Sequence, residues 1–127
     1  MNAQARVLWR RALKAIKTAR QLVSDDPDAA GNRAYYAAFY AVSALFALEK
    51  KKYSRHSAVE AALHRDLIGT GRWEKGRGAE YSFLLNLRHK GDYGVEEQVS
   101  REEADKAMVC AGNIIEAVRK SSKEFED

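Results

Sequence analysis

The chain is 127 residues long, which is the size of one domain spanning 1–127, and its 46% hydrophobic content supplies a core and excludes a disordered chain. No run of about 18 apolar residues occurs, which excludes a membrane-spanning helix, and the single Cys110 excludes an internal disulfide. The net charge of +4 is unevenly spread: residues 1–95 hold 17 Lys and Arg against 9 Asp and Glu, a net of +8, while residues 96–127 hold 5 against 9, a net of −4. A basic body with an acidic last segment suits a polyanion, an acidic partner, self-association or plain solvated faces.

One proline, few glycines and much Ala, Leu, Lys, Arg and Glu predict an all-α protein with five helical segments. The first runs from about Asn2 to Val23. Trp9, Ala12, Leu13, Ile16, Ala19 and Val23 form one apolar face, and Arg and Lys fill the remainder as an ordinary solvated surface.

Asp26 and Pro27 then have the form of an N-cap and first helical residue. The second helix reaches about Lys50 and carries three strips. Ala34, Ala38, Ala41 and Leu45 let another helix approach closely; Tyr35, Phe39, Val42 and Phe46 fill volume; Arg33, Tyr36, Tyr40 and Ser43 are polar. Apolar matter on two faces makes this the central, most buried helix. The polar strip either lines a ligand cleft or is a core edge with wetted hydroxyls.

Ser57 and Glu60 have capping-box spacing and predict a third helix over about Ser57–Ile68, with His56 in the loop before it. His56, Glu60 and His64 are four apart but match neither H-E-x-x-H nor a di-iron E-x-x-H pattern, so no metal site is expected. The linker GTGRWEKGRG has two glycines at phosphate-loop spacing. It lacks the Lys-Ser/Thr and the preceding strand, leaving Arg72, Lys75 and Arg77 as a basic patch able to meet phosphates.

The fourth helix is predicted over about Ala79–Lys90, with Gly91 as its C-terminal cap. Arg88 and His89 fall in its last turn, where cations suit the helix dipole. Asp92 and Tyr93 follow the cap; Arg88 can clamp Asp92 and present Tyr93, or it can bind a phosphate through its planar fork. Ser100 and Glu103 form a second capping box before a fifth helix with a regular stripe from Ala104 to Val118. Cys110 beside that stripe reads as a structural thiol.

The order AYYAAFYAVSALF, RHSAVEAALHRDLIGTG, LRHKGDYG and then an S-x-x-E-A helix resembles the HEPN superfamily, the higher eukaryotes and prokaryotes nucleotide-binding domains, over about Ala12–Val118. The likeness is to its small stand-alone prokaryotic branch. The resemblance implies an up-and-down four-helix bundle with an additional short helix, a homodimer with the Arg motifs near a shared cleft, and a minimal nucleotidyltransferase partner in a toxin–antitoxin-type pair. It implies nucleotide or RNA binding at a cleft around Arg88, to which Arg33, Tyr36, Tyr40, Arg72, Lys75 and Arg77 would contribute.

Ribonuclease relatives carry R-x(4–6)-H and use no metal or other cofactor. Here Arg88 matches the Arg, but Asp92 and Tyr93 stand where the His would be. A tyrosine with a pKa near 10 is a poor base at neutral pH. His56 is the candidate replacement, and enzyme activity stays open, with a scaffold that only oligomerises as a further alternative. Tyr93 is also a candidate for nucleotidylation by the partner. The resemblance, the absence of an apolar leader in MNAQARVLWR and the lone cysteine together suit a cytoplasmic protein without membrane attachment.

Overall fold

The computed structural model describes residues 1–94 and 98–125. Its helices are α1 (Ala3–Leu22), α2 (Pro27–Leu48), α3 (His56–Ala62), α4 (Lys75–Tyr93) and α5 (Arg101–Ser121); no strand occurs among the described residues. The four long helices form the bundle, and α3 is the additional short one. It runs on into a widened π-type turn over Leu63–Ile68, and Lys123–Phe125 adds a 3-10 turn that docks Phe125 against Trp9.

The central helix is α2, which packs on α1, α4 and α5. Ala34, Ala38, Ala41 and Leu45 are all fully buried, as are Tyr35 and Val42 on the neighbouring strip. Gly31 extends the small-residue strip, and a Cβ there would sit 3.4 Å from Leu87 Cδ2, so the Leu87 side chain of α4 packs directly onto the α2 backbone. The cap of α2 is as the sequence implies: Asp26 accepts from Ala29 N at 3.1 Å, with Pro27 in the first turn. At its C-terminus, Lys51 N donates to Phe46 O and Lys50 N to Ala47 O in a Schellman arrangement, with Lys50 at φ 62.

The second capping box forms in full: Ser100 Oγ accepts from Glu103 N, and the Glu103 carboxylate accepts from Ser100 N, both at 3.0 Å. The first does not. The helix begins at His56, with Arg55 at the cap position and no side-chain cap bond, so His56 belongs to α3 and not to the loop before it. A tyrosine hydroxyl and a phenylalanine ring hold His56, as described below, and that contact sets where the helix starts.

Helix α4 also departs from expectation at both ends. It starts at Lys75, taking in Gly76 and Gly78, and it runs through Gly91 to Tyr93. Gly91 therefore does not cap the helix. A Cβ there would lie 3.2 Å from Val99 Cγ2 and 3.4 Å from Asp28 O, so its small size serves a close approach. That approach is tied by Val99 N donating to Asp28 Oδ1 at 2.7 Å. As a result Asp92 and Tyr93 sit on the last turn of α4, Asp92 in line with Arg88 at i+4 and Tyr93 turned away from it.

Candidate functional site

Arg88 lies on the edge of α4 that faces α2, one turn beyond the buried Leu84 and beside the buried Leu87. Its side chain is 16% exposed. The guanidinium carbon is 5.3 Å from the ring centroids of both Tyr35 and Tyr36, a cation held against two aromatic rings. Its Nε is 3.3 Å from Asp92 Oδ2, one helical turn on, yet is sealed from solvent without a well-aligned hydrogen bond. The two terminal nitrogens make no hydrogen bond among the described residues and are not sealed in the same way. They are the part of the fork left for a ligand.

Asp92 is fixed from the α2 side. Asn32 Nδ2 donates to both of its carboxylate oxygens, at 3.2 and 3.0 Å, and Asn32 Oδ1 accepts from Arg33 Nε and Nη2. Arg33 itself lies over the Tyr36 ring at 4.9 Å. Tyr40 continues the strip, its ring 5.7 Å from that of Tyr36, with Arg11 of α1 6.0 Å from its centroid. Cations and aromatic rings therefore alternate along one partly exposed face of α2.

His56 joins this cluster from α3. Its ring stacks on Phe39 with centroids 4.2 Å apart and planes 10° apart, and it meets Tyr36 edge-on. Its Nδ1 is hydrogen-bonded to the Tyr35 hydroxyl at 2.8 Å, and Nε2 makes no hydrogen bond among the described residues. Burial lowers the His56 pKa, and the positive charge of Arg88 lowers it further. The imidazole is thus neutral at pH 7. Burial also pushes the Tyr35 hydroxyl up, against smaller lowering effects from Tyr81 and Arg88, so it stays protonated. A neutral hydroxyl can either donate to or accept from Nδ1. Nε2 can then give or take a proton while Nδ1 keeps its partner.

The other sequence candidates lie elsewhere. Tyr93 is 66% exposed at the end of α4, its ring 5.7 Å from that of His89. Arg72 forks onto Glu49 at 3.1 and 2.7 Å, Arg77 pairs with Glu80, and Lys75 is exposed. Arg77 precedes Arg88 by eleven residues on one helix, about 16 Å along its axis. The basic patch and the Arg88 cluster are therefore two separate places. Cys110 is buried and its pKa is raised by that burial, which suits a structural thiol. Among the described residues no group of three metal-ligating side chains converges, and no helix is long and apolar enough to cross a membrane.

By sequence pattern Tyr35 and Phe39 are volume fillers and Asn32 carries no signal, yet all three build the cluster. The available signal was Tyr at 35 where Phe would fill the same space: a hydroxyl on a buried strip needs a polar partner.

The chain matches the family model of the HEPN domain over residues 5–121. It belongs to the HEPN domain family. It is also 33% identical over 130 residues to a UPF0332 protein of Thermotoga maritima, covering 99% of this chain and 98% of that one. In this HEPN domain the imidazole that meets the tyrosine rings beside Arg88 comes from α3.

Proposed function

We propose that this HEPN domain is a cytoplasmic RNA-binding module that holds a phosphodiester on Arg88 and cleaves it without a metal, with His56 as the proton-transfer group. The observation that carries the reading is that Arg88 and His56, 32 positions apart in sequence, rest against the same two tyrosine rings, Tyr35 and Tyr36. The terminal guanidinium nitrogens would bind the non-bridging phosphate oxygens. His56 would take the proton of the ribose 2′-hydroxyl as that oxygen attacks phosphorus. The P–O5′ bond breaks, the 5′-oxygen departs as a hydroxyl after taking a proton from solvent, and the other product end is a 2′,3′-cyclic phosphate. A neutral imidazole near pH 7 has the protonation state that a base needs. Arg33, Tyr36 and Tyr40 would carry the adjoining strand, whereas Arg72 and Arg77 are already committed to carboxylates.

The test is incubation of labelled single-stranded RNA with excess protein in EDTA, with the product ends analysed. Cleavage to cyclic phosphates, lost in Arg88→Ala and His56→Ala, is expected. Intact RNA at high protein concentration removes the chemistry and leaves binding alone.

A second reading rests on Tyr93. Its exposure at the helix end offers a hydroxyl to a modifying enzyme, and the implied partner is a minimal nucleotidyltransferase in a toxin–antitoxin-type pair with a homodimer of this chain. Co-expression of the two and intact-mass measurement tests this: a nucleotidyl adduct lost in Tyr93→Phe supports it, and an unmodified chain ends it.

A further inference from the structure

A groove of about 340 Å³ opens between α1, α2 and the segment leading into α3, and Phe39, Leu8, Phe46, Tyr53 and Val59 give it apolar walls. Phe39 is the wall it shares with the site above, since the same ring stacks on His56. Tyr53 stands edge-on to Phe46 at 5.2 Å, and Lys51 and Lys52 line the same groove. The Ser43 hydroxyl borders the groove, buried and without a hydrogen-bond partner. A serine in a helix ordinarily satisfies itself on the carbonyl four residues back, and an orphan hydroxyl calls for an explanation.

We infer that this groove receives a nucleobase of the RNA strand whose phosphate sits on Arg88. The inference rests on the proposed function and adds a base-binding subsite to it. Three features favour a base over an aliphatic side chain. The walls are aromatic, and bases stack on aromatic rings with little regard to sequence. The groove contains the exposed Lys52, which suits a strand that carries a phosphate at every residue, beside Lys51, which lies 4.0 Å from Asp66. The volume is at the small end of ligand sites, enough for one ring system and not for a helix. Rotation of Ser43 about its single side-chain torsion gives the base edge a donor or acceptor. Such a base must be unstacked from its neighbours, so the preferred substrate is single-stranded.

The experiment measures anisotropy of two labelled strands with 2′-O-methyl riboses, which do not cleave: one with bases, one abasic throughout. The expected result for the wild type is a roughly 5- to 150-fold preference for the strand with bases, the range of base–aromatic stacking. Leu8→Trp fills the groove and should abolish that preference. Gln4→Trp, an exposed position on the same wall, does so without touching the core and serves should the first variant not fold. Arg88→Ala should weaken both strands alike. A preference that persists in the filled variants, or no preference in the wild type, overturns the subsite. Filled variants that sediment as monomers where the wild type is a dimer also overturn it, and assign the groove to the subunit interface. If Arg88→Ala alters neither strand while filling still abolishes the preference, the phosphate assignment fails and the base groove stands.

Discussion

The Tyr35 hydroxyl meets His56 Nδ1 at 2.8 Å, joining the buried face of the central helix to the only imidazole in the cluster. That bond fixes the rotation of a ring whose other contacts are stacking on Phe39 and Tyr35 and an edge contact with Tyr36.

Tyr35→Phe keeps the ring and removes the bond. The expected loss of stability is about 1 kcal/mol, the net worth of one hydrogen bond, since water can reach the half-buried imidazole in its place. RNA cleavage should fall roughly 10- to 100-fold through a mis-set proton donor or acceptor. Urea unfolding gives the first quantity and single-turnover cleavage the second. A change in stability with no change in cleavage would confine Tyr35 to packing.

Acid should destabilise the fold through His56. Its folded pKa is depressed below the ordinary value near 6.5, by burial first and Arg88 second. The unfolded chain therefore binds the proton first, and stability present above pH 6.5 is lost as pH falls through 6.5 towards the folded pKa. The other groups around the imidazole are Tyr35, whose hydroxyl burial keeps protonated, and the Tyr36 ring, with Glu60 one turn along α3. Urea titrations between pH 5 and 8 should show a slope in the wild type that is shallower in His56→Gln. Equal slopes would show that the acid sensitivity belongs to other groups.

The bundle was legible because its signals are local. Apolar periodicity, the Asp26–Pro27 start and the Ser100–Glu103 box each act within one or two turns, and each holds in the structure. Misreadings came where a distant contact decided. Ser57 and Glu60 have the spacing of a cap, but Tyr35 and Phe39 draw His56 into the helix. Gly91 looks like a terminus, but Asp28 and Val99 need its missing side chain. The Arg88–Asp92 pair was readable from i,i+4 spacing. The second hold on Asp92, from Asn32 sixty positions earlier, had no local signal.

Lys50 sits in the left-handed region at φ 62, at the position just past the end of α2 where glycine is favoured. Lys50→Gly should stabilise the protein by about 1 kcal/mol, because relief of the Cβ clash outweighs the extra freedom of the unfolded chain. Chemical denaturation measures it, and RNA binding should be unaffected. A destabilised variant would mean that the lysine side chain makes a compensating contact.

Arg88 is held in a way that does not favour folding. Its Nε is sealed from solvent without an aligned acceptor, and a buried charge of this kind recovers little of its desolvation cost from one offset carboxylate. Its long stem and its two ring contacts supply the packing, which an apolar chain of similar length can reproduce. Arg88→Met should therefore change stability by no more than about 1 kcal/mol in either direction, with Asp92 still held by Asn32. RNA binding should weaken, and the slope of log affinity against log salt should fall by about 1, the share of one lost phosphate contact. A destabilisation above about 2 kcal/mol would mark Arg88 as a structural residue. An unchanged salt slope in a stable variant would take the phosphate away from this position.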